Sequence, residues 1–176
     1  RLLTGVGALC DNGCTLTGTS RMRERPIQDL LDAMNGLGID ARAENGDGCP
    51  PVKVLGGGRQ GGRTDLRCRI SSQFLSALLL MAPYTKQGVE VSVSEGPVSK
   101  PYIDMTLDIL RRFGVLVERQ AYERFQVAGR QSFKPGHYHV EPDISNASYF
   151  WAIGAITGRR IAVEGIRGDS LQGDLG

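Results

Sequence analysis

Residues 64–81 read Thr64-Asp65-Leu66-Arg67-Cys68-Arg69-Ile70-Ser71-Ser72-Gln73-Phe74-Leu75-Ser76-Ala77-Leu78-Leu79-Leu80-Met81. The first five positions alternate as a half-buried strand does, and residues 72–81 are apolar enough to predict a packed helix. Ser71 and Ser72 stand at the helix start, where serine side chains satisfy amide groups that have no partner inside the helix. Gln73 lies within the first turn, where its amide can reach a ligand held by that same turn.

The same device recurs. Ile144-Ser145 repeats Ile70-Ser71 and also opens an apolar stretch, so residues 145–156 are expected to be helical. A second kind of helix start is duplicated as well. Pro26 and Pro101 each follow a basic residue, and the helices they introduce, 26–37 and 101–113, end in Leu37-Gly38-Ile39 and Phe113-Gly114-Val115. Ile27, Leu30, Leu31, Met34 and Leu37 fall on one face at helical spacing. Pro26 suits the first helical position, and Gly38 a helix stop. Strands are expected at 15–17, 39–43, 52–55, 64–68, 89–93, 115–118, 125–127, 137–140 and 160–163. Glycine-rich residues 56–62 read as a hairpin connection, since they lack the Gly-Lys-Ser/Thr ending of a phosphate loop and no helix follows at once. The chain is therefore an α/β protein built on a unit of about 75 residues. Repeats of that size place equivalent helix ends on one side of a fold.

Four polar or charged clusters stand at helix starts: Arg21-Met22-Arg23-Glu24-Arg25-Pro26, Ser71-Ser72-Gln73, Ser99-Lys100-Pro101-Tyr102 and Asp143-Ile144-Ser145-Asn146. A helix amino end carries unpaired N–H groups and partial positive charge, so a convergence of such ends makes a socket for a small, highly negative ligand. Each cluster also has a plainer reading. Arg25 clamps a phosphate, or sits in a solvated turn with Arg21, Arg23 and Glu24. Tyr102 lines a pocket or packs in a core, and Asp143 is a cap before it is a functional acid. Phe150 and Trp151 read as core.

Composition narrows the partners. The chain has 176 residues, 40% of them hydrophobic, and a net charge of +2, so no global field points to nucleic acid or a membrane surface. Seventeen of the 21 basic residues are Arg and are scattered, which favours paired and bidentate uses over a polybasic tail. No stretch reaches the roughly 18 apolar residues of a membrane span. Cys10, Cys14, Cys49 and Cys68 lack zinc spacing, as do His137 and His139, so the cysteines read as small buried thiols in a reducing compartment and no metal is expected. The chain opens Arg1-Leu2-Leu3-Thr4 without Met and stops at Gly176 in mid-pattern, and so reads as part of something longer.

Taken together, Leu16-Thr17-Gly18 through Pro26, Ile70 through Leu79, Val98-Ser99-Lys100-Pro101-Tyr102-Ile103-Asp104-Met105-Thr106-Leu107, and Ala147-Ser148-Tyr149-Phe150 closely resemble the 5-enolpyruvylshikimate-3-phosphate synthase family. The resemblance runs from Arg1 to Gly176. It implies transfer of the enolpyruvyl group of phosphoenolpyruvate to the 5-hydroxyl of shikimate 3-phosphate, in the shikimate pathway of aromatic amino acid biosynthesis. It also implies two lobes of repeated βαβαββ units, an inside-out α/β arrangement with helix amino ends facing a cleft. Residues 1–140 would be most of one substrate-binding lobe, about two repeats, and 141–176 the start of the second. By matching motif, Arg25 and Gln73 would bind phosphoenolpyruvate, and Ser71, Ser72, Gln73, Ser99 and Tyr102 shikimate 3-phosphate. Arg1 and Asp143 fall where an ion pair near the cleft is implied. The family's Lys-Ser motif, its Asn-Ala-Gly-Thr turn, and the acid, base and Lys of its C-terminal half have no counterpart between Arg1 and Gly176. No catalytic residue is therefore assigned within the segment. The expected partners are the two small substrates, with no cofactor, no nucleic acid and no membrane, in a cytoplasmic monomer (plastid in a plant). The competing expectation is an isolated phosphoshikimate-binding fragment without activity. The related transferase that acts on a nucleotide sugar uses a Gly-Gly-Cys loop, which does not occur here.

Overall fold

The computed structural model describes residues 1–56 and 60–175. They divide into two compact units, Arg1–Lys134 and Pro135–Gly176. The first contains α1 (Leu2–Gly7), β1 (Cys14–Leu16), α2 (Ser20–Arg23), α3 (Gln28–Gly36), β2 (Ala41–Ala43), β3 (Val52–Val54), β4 (Gly62–Arg67), α4 (Gln73–Met81), β5 (Val89–Glu95), α5 (Lys100–Arg112), β6 (Val117–Gln120) and β7 (Arg124–Val127).

Residues 62–127 form one complete βαβαββ unit. β4 and β5 are parallel neighbours, as their connection through α4 requires, and β7 and β6 extend the sheet antiparallel in the order β4-β5-β7-β6. The smaller sheet has the order β1-β3-β2, both pairs antiparallel. That order is the β5-β7-β6 arrangement again, with α3 in the place of α5. The repeat read from helix landmarks is thus a repeat of topology.

Its sharpest local sign is the helix ending. The N–H of Ile39 donates to the Met34 carbonyl and that of Gly38 to Asn35. The N–H of Val115 donates to Leu110 and that of Gly114 to Arg111, in the same pattern. Gly38 and Gly114 have φ of 77° and 83°, the left-handed conformation this ending needs and glycine adopts without steric cost.

Several expectations are corrected. Residues 57–59 of the glycine-rich connection lie outside the described residues, but its reading as a hairpin fails because β3 already pairs with β1 on one side and β2 on the other. α3 starts at Gln28, not Pro26, because Ile27, with φ of −140°, lies outside the helical conformation and serves as the N-cap, its N–H donating to the Gly48 carbonyl at 2.8 Å. No strand forms at 137–140 or 160–163, where the chain joins neither sheet. Cys68 is buried, but Cys10 is exposed and Cys14 and Cys49 are intermediate.

The core of the first unit is centred on α4, in which Phe74, Leu75, Ala77, Leu78, Leu79 and Met81 are fully buried. A helix apolar on every side has to be surrounded, and α1, α3 and α5 surround it with the sheets outside. The second unit holds α6 (Ile144–Thr157) and a short 3-10 turn, Gly173–Leu175. Phe150 and Trp151, read as core, are exposed there, since so little chain cannot cover an apolar helix. No helix among the described residues is long and apolar enough to cross a membrane.

Candidate functional site

Four helices of the first unit begin at one end of it. α4 and α5 follow the carboxyl ends of the parallel neighbours β4 and β5. Their entry loops are joined there by Cys68 N–H to Glu95 carbonyl at 2.8 Å and Val98 N–H to Cys68 carbonyl at 3.2 Å. α3 runs opposite to β4. Asp29 and Asp32 in its first half pair with Arg67 at the strand's carboxyl end, at 3.0 and 2.9 Å, while Ala33 and Gly36 meet Thr64 further back. α1 runs parallel to α4, with Arg1 over Phe74 and Gly5 against Ala77. In open α/β sheets this end, beyond the strand carboxyl termini, is where ligands bind. A shallow depression of about 230 Å³ between Gly62, Gln87 and Gln126 lies at the opposite end of the sheet and holds none of the candidate residues.

Backbone amides contribute less to the rim than the sequence suggests. At α4 the Gln73 N–H donates to Ser71 Oγ at 3.2 Å, so Ser71 is the cap, while Ser72, at the N-cap position, makes no side-chain cap bond. The Phe74 N–H reaches the Ser71 carbonyl at 3.5 Å and the Ser76 N–H the Ser72 carbonyl at 3.2 Å, and the Cys68 thiol donates to the Ser71 carbonyl at 3.6 Å. What remains outward-facing is side chains. Ser71 and Ser72 are buried at 8% and 4% exposure, whereas Gln73, Ser99 and Tyr102 are exposed. Among the described residues the Ser72 and Ser99 hydroxyls, the Gln73 amide and the Tyr102 phenol have no side-chain hydrogen bond. Tyr102 is 52% exposed and so is not a core residue.

The cations divide sharply. Arg21 is paired with Glu24 at 2.9 Å, the solvated local pair expected of a charged turn. Arg25, beside it, has no carboxylate partner among the described residues. Arg1 donates from Nη2 to the Pro26 carbonyl at 2.8 Å, and its buried Nε has no hydrogen-bond partner. Burial, and after it the positive charge of Arg25, lower the pKa of the Arg1 guanidinium. Arg1 thus sits on the carbonyl next to Arg25, where the two like charges repel and a donor is left over, and an anion beside them would relieve both.

Asp143, assigned by motif to an ion pair with Arg1, belongs to the second unit. There it caps α6, accepting from the Asn146 N–H at 3.4 Å and from Asn146 Nδ2 at 2.7 Å. Spacing gave no sign of α1, nor of Phe74 as the ring beneath Arg1, because those contacts join residues far apart in sequence.

The chain matches the family described as EPSP synthase (3-phosphoshikimate 1-carboxyvinyltransferase) over residues 1–176. It is 45% identical to a 3-phosphoshikimate 1-carboxyvinyltransferase of Marinomonas sp. over 99% of its own length and 41% of that relative's. Against the enzyme of that name from Methanoculleus marisnigri it is 42% identical over 99% of its length and 41% of the relative. Among solved structures, EPSP synthase from Acinetobacter baumannii aligns with a TM-score of 0.70 at 28% identity, over 88% of this chain and 33% of that one. The chain therefore spans about two fifths of the length of the curated relatives it matches.

Proposed function

The chain belongs to the EPSP synthase family, and on that premise we propose that the intact protein transfers the enolpyruvyl group of phosphoenolpyruvate to the 5-hydroxyl of shikimate 3-phosphate, releasing phosphate. The observation that carries this reading is the placement of Arg1, bonded to the Pro26 carbonyl, beside Arg25, neither with a carboxylate partner among the described residues, at the end where α1, α3, α4 and α5 begin.

The chemistry is addition followed by elimination. Phosphoenolpyruvate takes a proton on its methylene carbon, the phosphoshikimate hydroxyl adds to the cationic carbon as it gives up its own proton, and phosphate then leaves while the new methyl group loses a proton, which restores the carbon–carbon double bond. Two highly charged substrates must be held together while this happens, so fixed cations and donors are required. Arg25 takes the phosphate of phosphoenolpyruvate, with the unpartnered Arg1 Nε directed to the same anion. Ser71, Ser72 and Ser99 take shikimate 3-phosphate, with Tyr102 along its ring. Gln73, in the first turn of α4, reaches both. The proton-transfer groups belong to the remaining length of the protein. The protein is proposed to act in the cytoplasm, or in the plastid of a plant, as a monomer.

The test is phosphate release by the full-length protein given both substrates, with calorimetric titration of each alone. Turnover dependent on both supports the reading. Binding of shikimate 3-phosphate without turnover would leave only a binding module, and no binding of either substrate overturns the assignment.

A further inference from the structure

Ser99 is a non-glycine residue in the left-handed region, with φ of 55° and ψ of 53°. An L-residue there is disfavoured by its own Cβ, so the neighbours must hold it in place. On one side the loop before it is tied by the Val98 N–H to the Cys68 carbonyl. On the other side stands the tip of the β6–β7 hairpin. Tyr122 donates from its hydroxyl to Asp104 Oδ2 at 2.6 Å, and Arg119 donates to the other oxygen of Asp104 at 2.6 Å. The Lys100 ammonium lies 4.9 Å and the Arg119 guanidinium 5.1 Å from the centre of the Tyr122 ring, within cation–π range. Lys100 follows Ser99 directly, and Asp104 is one helical turn further on. Tyr122 therefore grips the first turn of α5 at two points, by its ring and by its hydroxyl.

We propose that Tyr122 is a positioning residue for the phosphoshikimate side of the site: from the hairpin tip it fixes the amino end of α5 and so the direction of the Ser99 hydroxyl. This rests on the function proposed above. The ring gives Lys100 a place away from the ligand, and the hydroxyl holds Asp104, so the strained start of α5 cannot relax by unwinding its first turn. Tyr122 touches neither substrate in this scheme and acts through Ser99.

The experiment is steady-state kinetics on the full-length enzyme carrying Tyr122→Ala, Tyr122→Phe, Ser99→Ala and the Tyr122→Ala/Ser99→Ala pair. Displacing a substrate-holding group raises KM for shikimate 3-phosphate by between about tenfold and a hundredfold in Tyr122→Ala. KM for phosphoenolpyruvate stays near its original value, Tyr122→Phe falls between, and the double variant is no worse than Ser99→Ala alone because both changes remove one interaction. A lowered Tm with unchanged KM for shikimate 3-phosphate, or losses that add in the double variant, would overturn the proposal. Where Ser99→Ala itself leaves that KM unchanged, the assignment of Ser99 to the substrate fails first and this inference with it. If Tyr122→Ala does not fold, Tyr122→Phe and Asp104→Asn carry the same comparison.

Discussion

The Arg1 guanidinium lies 5.2 Å from the centre of the Phe74 ring while its Nη2 holds the Pro26 carbonyl at 2.8 Å. One side chain thereby ties the start of α1 to the first turn of α4 and to the residue after Arg25. Those bonds need a flat, forked cation. Arg1→Lys keeps the charge but loses the flat stacking of the guanidinium on the ring and the fork of directed donors. In the full-length enzyme this change should raise KM for phosphoenolpyruvate more than KM for shikimate 3-phosphate. Equal effects on both would show that Arg1 supports the fold and not the anion.

Arg25 has no acidic neighbour to lose among the described residues, so removing it leaves no buried charge stranded in the free protein. Arg25→Ala should then cost about 2–5 kcal/mol in kcat/KM for phosphoenolpyruvate, the range for deleting a charged partner of a bound ion. Tm should move little, as for other exposed side chains. Kinetics and a melting curve on the same preparation check both halves. A stability loss without a kinetic one would count against the anion clamp.

Ser99 allows strain and function to be separated. Ser99→Gly and Ser99→Ala both delete the hydroxyl, but only alanine keeps a Cβ in the left-handed conformation. Both should weaken phosphoshikimate binding to a similar extent, while the glycine variant is the more stable by about 1 kcal/mol. Calorimetric titration and thermal unfolding measure the two effects independently. Equal stabilities would mean that the turn relaxes in the alanine variant.

How much of this was legible in the sequence depends on the range of the interaction. The ends of α3 and α5 were readable because a glycine after a helix is a local signal, and Gly38 and Gly114 supply it. The start of α3 falls after Pro26 because Ile27 is held in a non-helical conformation while its N–H bonds Gly48, a partner beyond any local window. The hairpin at 56–62 was misread because both edges of β3 are taken by strands distant from β4. α1 left no trace, since six residues containing two glycines cannot display a period, and its place is set by the surface of α4. The rim was legible as residue types at helix starts. That Arg1 and Arg25 sit together, and that most amides of α4 are already bonded, required coordinates.

Gly5 shows why α1 can lie so close. A Cβ built there would come within 2.4 Å of the Ala77 carbonyl oxygen, a backbone atom of a fully buried helix that cannot give way. Gly5→Ala must push α1 outward and carry Arg1 with it. The expected cost is about 1–3 kcal/mol of stability, as for other overpacked sites, together with a raised KM for phosphoenolpyruvate. Unfolding and kinetics of the full-length variant test this, and an unaltered Tm would mean that α1 is not seated on α4.

Cys68 offers a prediction in pH. Burial pushes its thiol up from 9.0 to about 11, against a weaker opposing pull from the Leu75 N–H and with a still smaller push from Asp29. A group whose folded pKa lies above its unfolded one stabilises the fold fully below the unfolded value. That contribution is lost as the pH rises through the folded value. The stabilisation linked to Cys68 should therefore be intact below pH 9 and fall by roughly 2–3 kcal/mol by about pH 11. Other alkaline groups titrate in the same window, so the measurement is a difference. The stability of the parent protein relative to Cys68→Ala should decline across that window and be flat below it. Thiol labelling gives a second reading on the folded protein at pH 8, where exposed Cys10 should react well before Cys68. Identical pH profiles for parent and variant, or equal labelling rates for the two thiols, would show that the β4–α4 corner opens to water. The Cys68 carbonyl and thiol could not then hold the Ser99 loop and the first turn of α4 in place.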